Sequence, residues 1–137
     1  MPATGMNHFT ILTDDVRGTV GFYADLLGLA EGPRPPLSMP GAWLYAGEHP
    51  VLHVVGGRDA SELTPGVIDH IAFSATDLAD TLALLASRNV AHTCRRQVET
   101  GVWQVFFDDP NGARVELDFA ADEPRSPSPQ AQRERGG

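Results

Sequence analysis

Three histidines and one glutamate, at matched places in the sequence, are the residues best suited to chemistry. His8 and His70 are 62 positions apart, and each opens a short run of alternating apolar and polar residues. Glu116 lies inside a later apolar run, and His53 lies in the corresponding run of the first half. Two imidazoles and one carboxylate can hold a divalent metal and leave coordination positions open to a substrate. The sequence therefore predicts metal ligands at His8, His70 and Glu116.

His53 admits three interpretations. An imidazole at this place could complete the ligand set, act as a catalytic base, or pack on the sheet as a structural side chain. We predict the catalytic role for His53 and keep the other two open.

The two histidine runs begin two similar segments, residues 7–29 and 69–91. Each segment alternates at first, which is typical of a strand, and then repeats its apolar residues at helical spacing. Both helices have an expected start and an expected end, at Asp15 and Gly28 for the first and at Asp77 and Asn89 for the second. The repeat therefore predicts a strand followed by a helix in each half.

Three strand-like runs follow each helix. They lie near residues 29–31, 42–46 and 51–55 in the first half, and near 90–94, 102–107 and 114–119 in the second. Within them, Gly41-Ala42-Trp43 is matched to Gly101-Val102-Trp103. The chain thus reads βαβββ twice. We predict an α+β domain over residues 5–120, in which paired modules at about 5–56 and 67–120 form a partly closed mixed sheet around a metal-binding cavity.

The alternation assigns side chains to the two faces of this sheet. The residues expected to meet the helices are apolar: Phe9, Ile11, Ile71, Phe73, Val115 and Leu117. The opposite face carries the predicted ligands. Trp43 and Tyr45 are either core residues or the apolar wall of a substrate pocket. The proline-rich loop 32–41 is a stiff connector or a lid, and its Arg34 is available to an anionic substrate group.

Composition excludes several classes of function. Acidic residues number 18 against 10 basic ones, and the net charge of −8 argues against nucleic acids and anionic membranes as partners. All the basic residues are arginine, which excludes a Schiff-base lysine. The lone Cys94 forms no internal disulfide, and with no signal-like N-terminus we expect a cytoplasmic protein. Residues 121–137 lack aromatic and β-branched side chains, which predicts a disordered tail.

The chain resembles the vicinal oxygen chelate superfamily, which includes glyoxalase I, extradiol dioxygenases and bleomycin-binding proteins. The matching text is Asn7-His8-Phe9-Thr10-Ile11, Phe22-Tyr23-Ala24-Asp25-Leu26-Leu27-Gly28-Leu29, Asp69-His70-Ile71-Ala72-Phe73, and Asp109-Pro110-Asn111-Gly112 followed by Val115-Glu116-Leu117. The resemblance implies metal ligands at His8, His70 and Glu116, and a homodimer. Glyoxalase I has a glutamate ligand at the position of His53.

Within that superfamily, the sequence leaves the reaction open. We favour a metal-dependent dioxygenase that acts on a metal-chelating phenolic or enediol substrate, with Fe²⁺ preferred over Ni²⁺, Mn²⁺, Co²⁺ or Zn²⁺. A lyase or isomerase of the glyoxalase I type, with His53 as base, is the first alternative. A metal-free binding protein that confers drug resistance is the second. All three hypotheses imply a small-molecule ligand.

Overall fold

The computed structural model describes residues 2–126. Its elements are β1 (Phe9–Leu12), α1 (Val16–Leu27), β2 (Ala30–Gly32), β3 (Gly41–Ala46), β4 (His49–Val55), a 3-10 turn (Ala60–Glu62), β5 (Ile71–Ser74), α2 (Leu78–Ser87), β6 (His92–Arg96), β7 (Trp103–Asp108) and β8 (Arg114–Phe119). The α+β class and the repeated βαβββ order are confirmed. No helix within residues 2–126 is long and apolar enough to cross a membrane.

The strands form two four-stranded mixed sheets, one for each half, that do not close into a barrel. In the first sheet the order is β1-β4-β3-β2, and in the second it is β5-β8-β7-β6. The first strand of each half pairs in parallel with the last, and the remaining pairs are antiparallel. The two halves therefore share one topology, as the sequence repeat predicts.

The chain divides into two compact units that differ slightly from these halves. The first unit contains the residues up to Asp69 together with Asp109–Ala113. Among the described residues, the second contains His70–Asp108 and residues 114–126. The turn between β7 and β8 thus belongs to the first unit, although the two strands it joins belong to the second.

The strand register confirms one correspondence between the halves and corrects another. Thr10 pairs with His53 in the first sheet, and Ala72 pairs with Glu116 in the second, so His53 and Glu116 are equivalent. Trp43 lies opposite His53, whereas Phe106 lies opposite Glu116. The match of Trp43 to Trp103 is therefore wrong, because cross-strand pairing aligns Trp43 with Phe106.

The apolar face of each sheet lies where the alternation predicts. In the first unit, α1 packs on β3 and β4, and the buried residues are Val20, Tyr23, Leu26, Ala42, Leu44, Leu52 and Val54. In the second unit the buried residues are Ile71, Leu78, Leu85, Val105, Phe107, Val115, Leu117 and Phe119. These side chains leave the residues between them on the opposite face of each strand. His53 and Glu116 are among those residues.

The two helices begin in different ways. The Asp15 carboxylate accepts a hydrogen bond from the Gly18 N–H at 3.0 Å, so Asp15 caps α1 as predicted. Asp77, in contrast, adopts a positive φ of 69° and its side chain caps nothing. The first N–H of α2, that of Leu78, donates instead to Glu123 Oε1 at 2.8 Å.

The helix ends match the sequence prediction more closely. Gly28 has a φ of 71°, and Asn89, which follows α2, has a φ of 55°. Both values lie in the left-handed region that ends a helix, where glycine and asparagine are the best tolerated residues.

The segment expected to form a disordered tail is partly described. Residues 121–126 contact the second unit, since Glu123 caps α2 and the Arg96 guanidinium donates to the Ala121 carbonyl at 3.0 Å. The rest of that predicted tail, residues 127–137, lies outside the described residues.

Candidate metal centre

The second unit brings His70 and Glu116 together. His70 directly precedes β5, and Glu116 lies on the adjacent strand β8. His70 Nε2 is 3.1 Å from Glu116 Oε1, and the Glu116 side chain is only 7% exposed. Two ligand atoms that bind one ion at right angles, each about 2.1 Å from it, lie about 3.0 Å apart. This contact is an imidazole–carboxylate ion pair or hydrogen bond, and its length would also suit two ligands of one ion.

Two polar side chains lie beside this carboxylate. Gln104 Nε2 donates to Glu116 Oε2 at 3.2 Å. Asp118 lies two residues along the same strand, on the same face. Burial, followed by a hydrogen bond and repulsion from Glu116, raises the pKa of Asp118 to about 6, while the nearby His70 opposes this shift. The alternation along β8 already places Asp118 on the face of Glu116. Gln104 was not singled out by the sequence, because only the strand register places it beside Glu116.

The first unit brings three rings together in a stack. The His53 imidazole lies between the His8 ring, at 3.7 Å and 13°, and the Trp43 ring, at 3.9 Å and 8°. His53 Nε2 is buried and has no hydrogen-bond partner among the described residues. Burial and then the nearby His8 lower the pKa of His53, and the Pro50 backbone opposes this shift. The surroundings of His53 thus favour the neutral ring, which can accept a proton or bind a metal.

Asn7 orients the His8 ring. His8 Nδ1 lies 2.8 Å from Asn7 Oδ1. An amide oxygen only accepts hydrogen bonds, so Nδ1 is the donor in this contact, and Nε2 is the nitrogen through which the ring could bind a metal. Metal-binding histidines commonly donate their second ring N–H to an oxygen in this way. The repeat carried a signal for this residue that sequence reasoning missed, since Asn7 precedes His8 as Asp69 precedes His70.

The three predicted pocket residues have different surroundings. Trp43 is half-buried against His53. The Tyr45 hydroxyl donates to the Pro33 carbonyl at 2.5 Å, and its ring covers Gly32 so closely that a Cβ there would lie 2.7 Å from it. Arg34 donates to the Met39 carbonyl at 2.9 Å, within its own loop. Trp43 is thus the member of this set that contacts a predicted catalytic residue.

The donor set fits a divalent metal of the nitrogen- and oxygen-binding kind. His70 and Glu116 have the spacing of neighbouring ligands, and His8 keeps its Nε2 available. Among residues 2–126, no group of three or more histidine, cysteine, aspartate or glutamate side chains is placed so that it could hold a metal ion. Two of the predicted ligands, His70 and Glu116, lie together in the second unit, and His8 lies in the first.

Known proteins share both the sequence pattern and the fold. A plant protein, "Glyoxylase I 4" of Arabidopsis thaliana, is 28% identical over 123 residues, which cover 83% of this chain and 70% of the relative.

Two solved structures share the fold. A variant of the fosfomycin resistance protein FosX from Listeria monocytogenes, complexed with Mn(II) and 1S,2S-dihydroxypropylphosphonic acid, is 16% identical with a TM-score of 0.70; the match covers 86% of this chain and 93% of that one. Lactoylglutathione lyase from Agrobacterium tumefaciens is 20% identical with a TM-score of 0.64, and the match covers 88% of this chain and 97% of that one.

The family model described as Glyoxalase/Bleomycin resistance protein/Dioxygenase superfamily matches residues 5–117. That range holds both βαβββ modules, apart from the last two residues of β8, and every predicted ligand. The chain belongs to the glyoxalase/bleomycin resistance protein/dioxygenase superfamily.

Proposed function

We propose that this protein is a metal-dependent enzyme that acts on a small molecule presenting two adjacent oxygen atoms to the metal. The observation that carries the proposal is the 3.1 Å contact between His70 Nε2 and Glu116 Oε1, which places an imidazole nitrogen and a buried carboxylate close enough to bind one ion together. His8 is the proposed third ligand, through its Nε2. A divalent ion held there would polarise the substrate oxygens as a Lewis acid.

His53 is the proposed proton-transferring group. Its Nε2 has no partner among the described residues, and its lowered pKa keeps the ring neutral and able to take a proton. The parallel stack on His8 keeps the His53 ring beside a proposed ligand. Trp43 covers the other face of the imidazole and excludes water from it. A substrate carbon or hydroxyl close to Nε2 would lose its proton to His53.

Of the reaction classes, we propose proton transfer between neighbouring atoms, as in a lyase or isomerase. The half-buried His53, whose lowered pKa favours the neutral ring, supports this class, because such a reaction needs a base beside the metal. The similarity to a plant glyoxalase I-like protein supports it. The dioxygenase predicted from the sequence is the second candidate. The donor set of two histidines and one carboxylate favours it, since these ligands suit Fe²⁺ and leave coordination sites for oxygen.

Metal analysis of the purified protein tests the proposal. Protein prepared without an affinity tag and without oxygen should carry about one divalent ion per chain, and the His70→Ala and Glu116→Gln variants should carry much less. Nickel, cobalt, zinc or manganese would support proton transfer. Iron, with oxygen uptake on catechols or hydroquinones, would support the dioxygenase. A wild-type protein that takes up no metal on titration would overturn both proposals in favour of a metal-free binding protein.

The homodimer is likewise a proposal, which rests on the resemblance to short members of the superfamily. Sedimentation of the full chain should give twice the mass of 14.7 kDa. A monomer at micromolar concentration would contradict it.

A further inference from the structure

Glu116 on β8 is hydrogen-bonded to a chain of two polar side chains on the neighbouring strands β7 and β6. The first unit, within the described residues, has no equivalent of this chain. On β7, Gln104 donates through Nε2 to Glu116 Oε2 at 3.2 Å. On β6, the Arg95 Nε donates to Gln104 Oε1 at 3.3 Å. Arg95 and Gln104 are paired residues of neighbouring strands. An exposed cation is thus connected through one amide to a buried carboxylate.

The chemistry of the three groups fixes the direction of this connection. A guanidinium only donates hydrogen bonds, so the amide must turn its oxygen towards Arg95. The amide nitrogen, which only donates, then points to Glu116. Because Gln104 occupies Oε2, the other oxygen of Glu116 is left beside His70 Nε2 at 3.1 Å. The connection therefore distinguishes the two oxygens of the carboxylate.

Phe106 contacts Arg95, at one end of the connection, and His70, which lies next to the other end. The Arg95 guanidinium lies 5.0 Å from the centre of the Phe106 ring, and the His70 ring meets the same ring edge to face at 6.0 Å. Phe106 is also the residue paired with Glu116 across β7 and β8. A cation over an aromatic face gains attraction from the ring, which holds Arg95 in place although it is exposed.

Among the described residues, the first unit lacks this connection, and it has His53 in place of the Glu116 carboxylate. The position equivalent to Gln104 is Gly41, and a Cβ built there would lie 2.3 Å from the Val54 carbonyl oxygen. No side chain fits at that place. The connection therefore accompanies Glu116 and not its counterpart His53.

We propose that Arg95 and Gln104 are positioning residues that orient the Glu116 carboxylate so that Oε1 faces the metal. The expected effect on metal affinity rests on the proposed function. The hydrogen bonds from Arg95 to Gln104 and from Gln104 to Glu116 are present without a metal. Hydrogen-bonding partners behind metal ligands commonly change metal affinity by about 10–100-fold when they are removed.

Cobalt titration of the full-length protein tests the consequence. Gln104→Met should weaken Co²⁺ binding about 10–100-fold, and Arg95→Met, one step further away, about three- to tenfold. Arg95→Lys, which keeps a donor, should recover most of the loss. The matched control is Arg114→Met. Arg114 is an exposed arginine on the same strand as Glu116 and is ion-paired with Asp108 at 3.6 Å.

The control separates orientation from net charge. Loss of a positive charge alone strengthens the binding of a cation, so Arg114→Met should leave Co²⁺ affinity unchanged or increase it. The proposal requires the opposite sign for Arg95→Met. If Arg95→Met, like Arg114→Met, binds Co²⁺ as tightly as the wild type or more tightly, the positioning role is wrong.

Side-chain amide NMR of the metal-free protein tests the connection without metal. The Gln104 NH₂ signals should move in both Arg95→Met and Glu116→Gln. Those of Gln97, which donates to Glu99 elsewhere in the second unit, should stay in place. Unchanged Gln104 signals would overturn the connection. If the Gln104 signals move in both variants but the wild-type protein binds no Co²⁺, the proposed metal site is contradicted and the connection is retained.

Discussion

At the residue scale, His53 combines three features that are unusual on a sheet surface. Its ring lies between two parallel rings, its Nε2 is buried without a partner among the described residues, and its pKa is lowered by burial and by His8. A merely structural histidine would be expected to satisfy a buried ring nitrogen. The arrangement therefore favours a role that begins when a substrate or a metal arrives.

The first prediction separates the roles that the sequence left open for His53. His53→Gln should lower kcat by about 10²- to 10⁴-fold while the metal content stays at the wild-type value, because a proton-transferring group is lost and the ligands remain. Kinetics with metal analysis on the same samples provide the measurement. His92→Gln is the control, since His92 bonds to the Val90 carbonyl in the second unit. Loss of metal together with activity would identify His53 as a ligand instead.

Tyr23 is a core residue whose hydroxyl also makes a hydrogen bond that the sequence does not reveal. The sequence places it on the apolar stripe of α1, and the side chain is indeed fully buried. Its hydroxyl donates to Asp109 Oδ2 at 2.8 Å, and Asp109 Oδ1 accepts from the N–H groups of Asn111 and Ala113. Tyr23 thus fixes the Asp109–Ala113 turn on the first unit.

The second prediction concerns the loss of this hydroxyl. Tyr23→Phe should lower the free energy of unfolding by about 1–3 kcal/mol, because the buried Asp109 loses a hydrogen-bond donor. Chemical denaturation at neutral pH measures the difference. A variant as stable as the wild type would show that water replaces the phenol at Asp109.

The third prediction is the pH dependence of the same pair. Burial, followed by the charge of Asp109, raises the pKa of Tyr23, whereas an unfolded tyrosine ionises near pH 10. The contribution of Tyr23 to stability is therefore complete below about pH 10 and is lost above it, by up to about 1.4 kcal/mol per pH unit. Denaturation curves above pH 10 should show this additional slope in the wild type and not in Tyr23→Phe. Equal slopes would contradict the raised pKa.

At the element scale, the helices show which local signals can be read from a sequence. Asp15, Gly28 and Asn89 act as predicted, because each works through its own backbone or that of the next few residues. Asp77 does not cap α2, since its positive φ turns its side chain away from the first N–H groups. The cap comes from Glu123, which lies 45 residues after Leu78, the residue whose N–H it accepts. Composition alone had assigned Glu123 to a tail without structure.

The fourth prediction measures this long-range cap. Glu123→Ala should lower stability by about 1 kcal/mol, the usual effect of a lost cap, and should increase hydrogen exchange in the first turn of α2. Asp122→Ala is the matched control, since Asp122 is exposed on the same segment. Equal effects of the two substitutions would mean that charge, rather than capping, supports the helix.

At the scale of the whole molecule, the repeat in the sequence predicts the repeated fold because periodicity reports which face of each element is buried. It predicts the candidate ligands for a similar reason, since equivalent positions in two copies share one face. The strand register determines which residues of neighbouring strands lie side by side. Only cross-strand pairing reveals that Phe106 and not Trp103 is equivalent to Trp43, and that Gln104 lies beside Glu116. Short side-chain patterns do not encode such pairings.

The fifth prediction treats the metal as a ligand of the folded chain. A divalent ion at 100 times its Kd should raise the free energy of unfolding of the wild type by about 2.7 kcal/mol. Glu116→Gln should lose most of this increase, because one of the proposed ligands becomes a neutral amide. Glu99→Gln should keep it, since Glu99 lies in the loop between β6 and β7. Thermal denaturation with and without chelator makes the comparison, and equal stabilisation of all three proteins would contradict the proposed ligands.

The Asp109–Ala113 turn has a consequence for how such a protein can be divided. The first unit needs this turn, through Tyr23 and through the hydroxyl of Thr13, which bonds to Asn111 Oδ1 at 2.7 Å. A gene fragment that ends at Asp69 would therefore encode a half that lacks part of its own interior. A protein made of that half alone would have to take the turn from a second molecule. In the present chain, the second half supplies the turn within the same polypeptide.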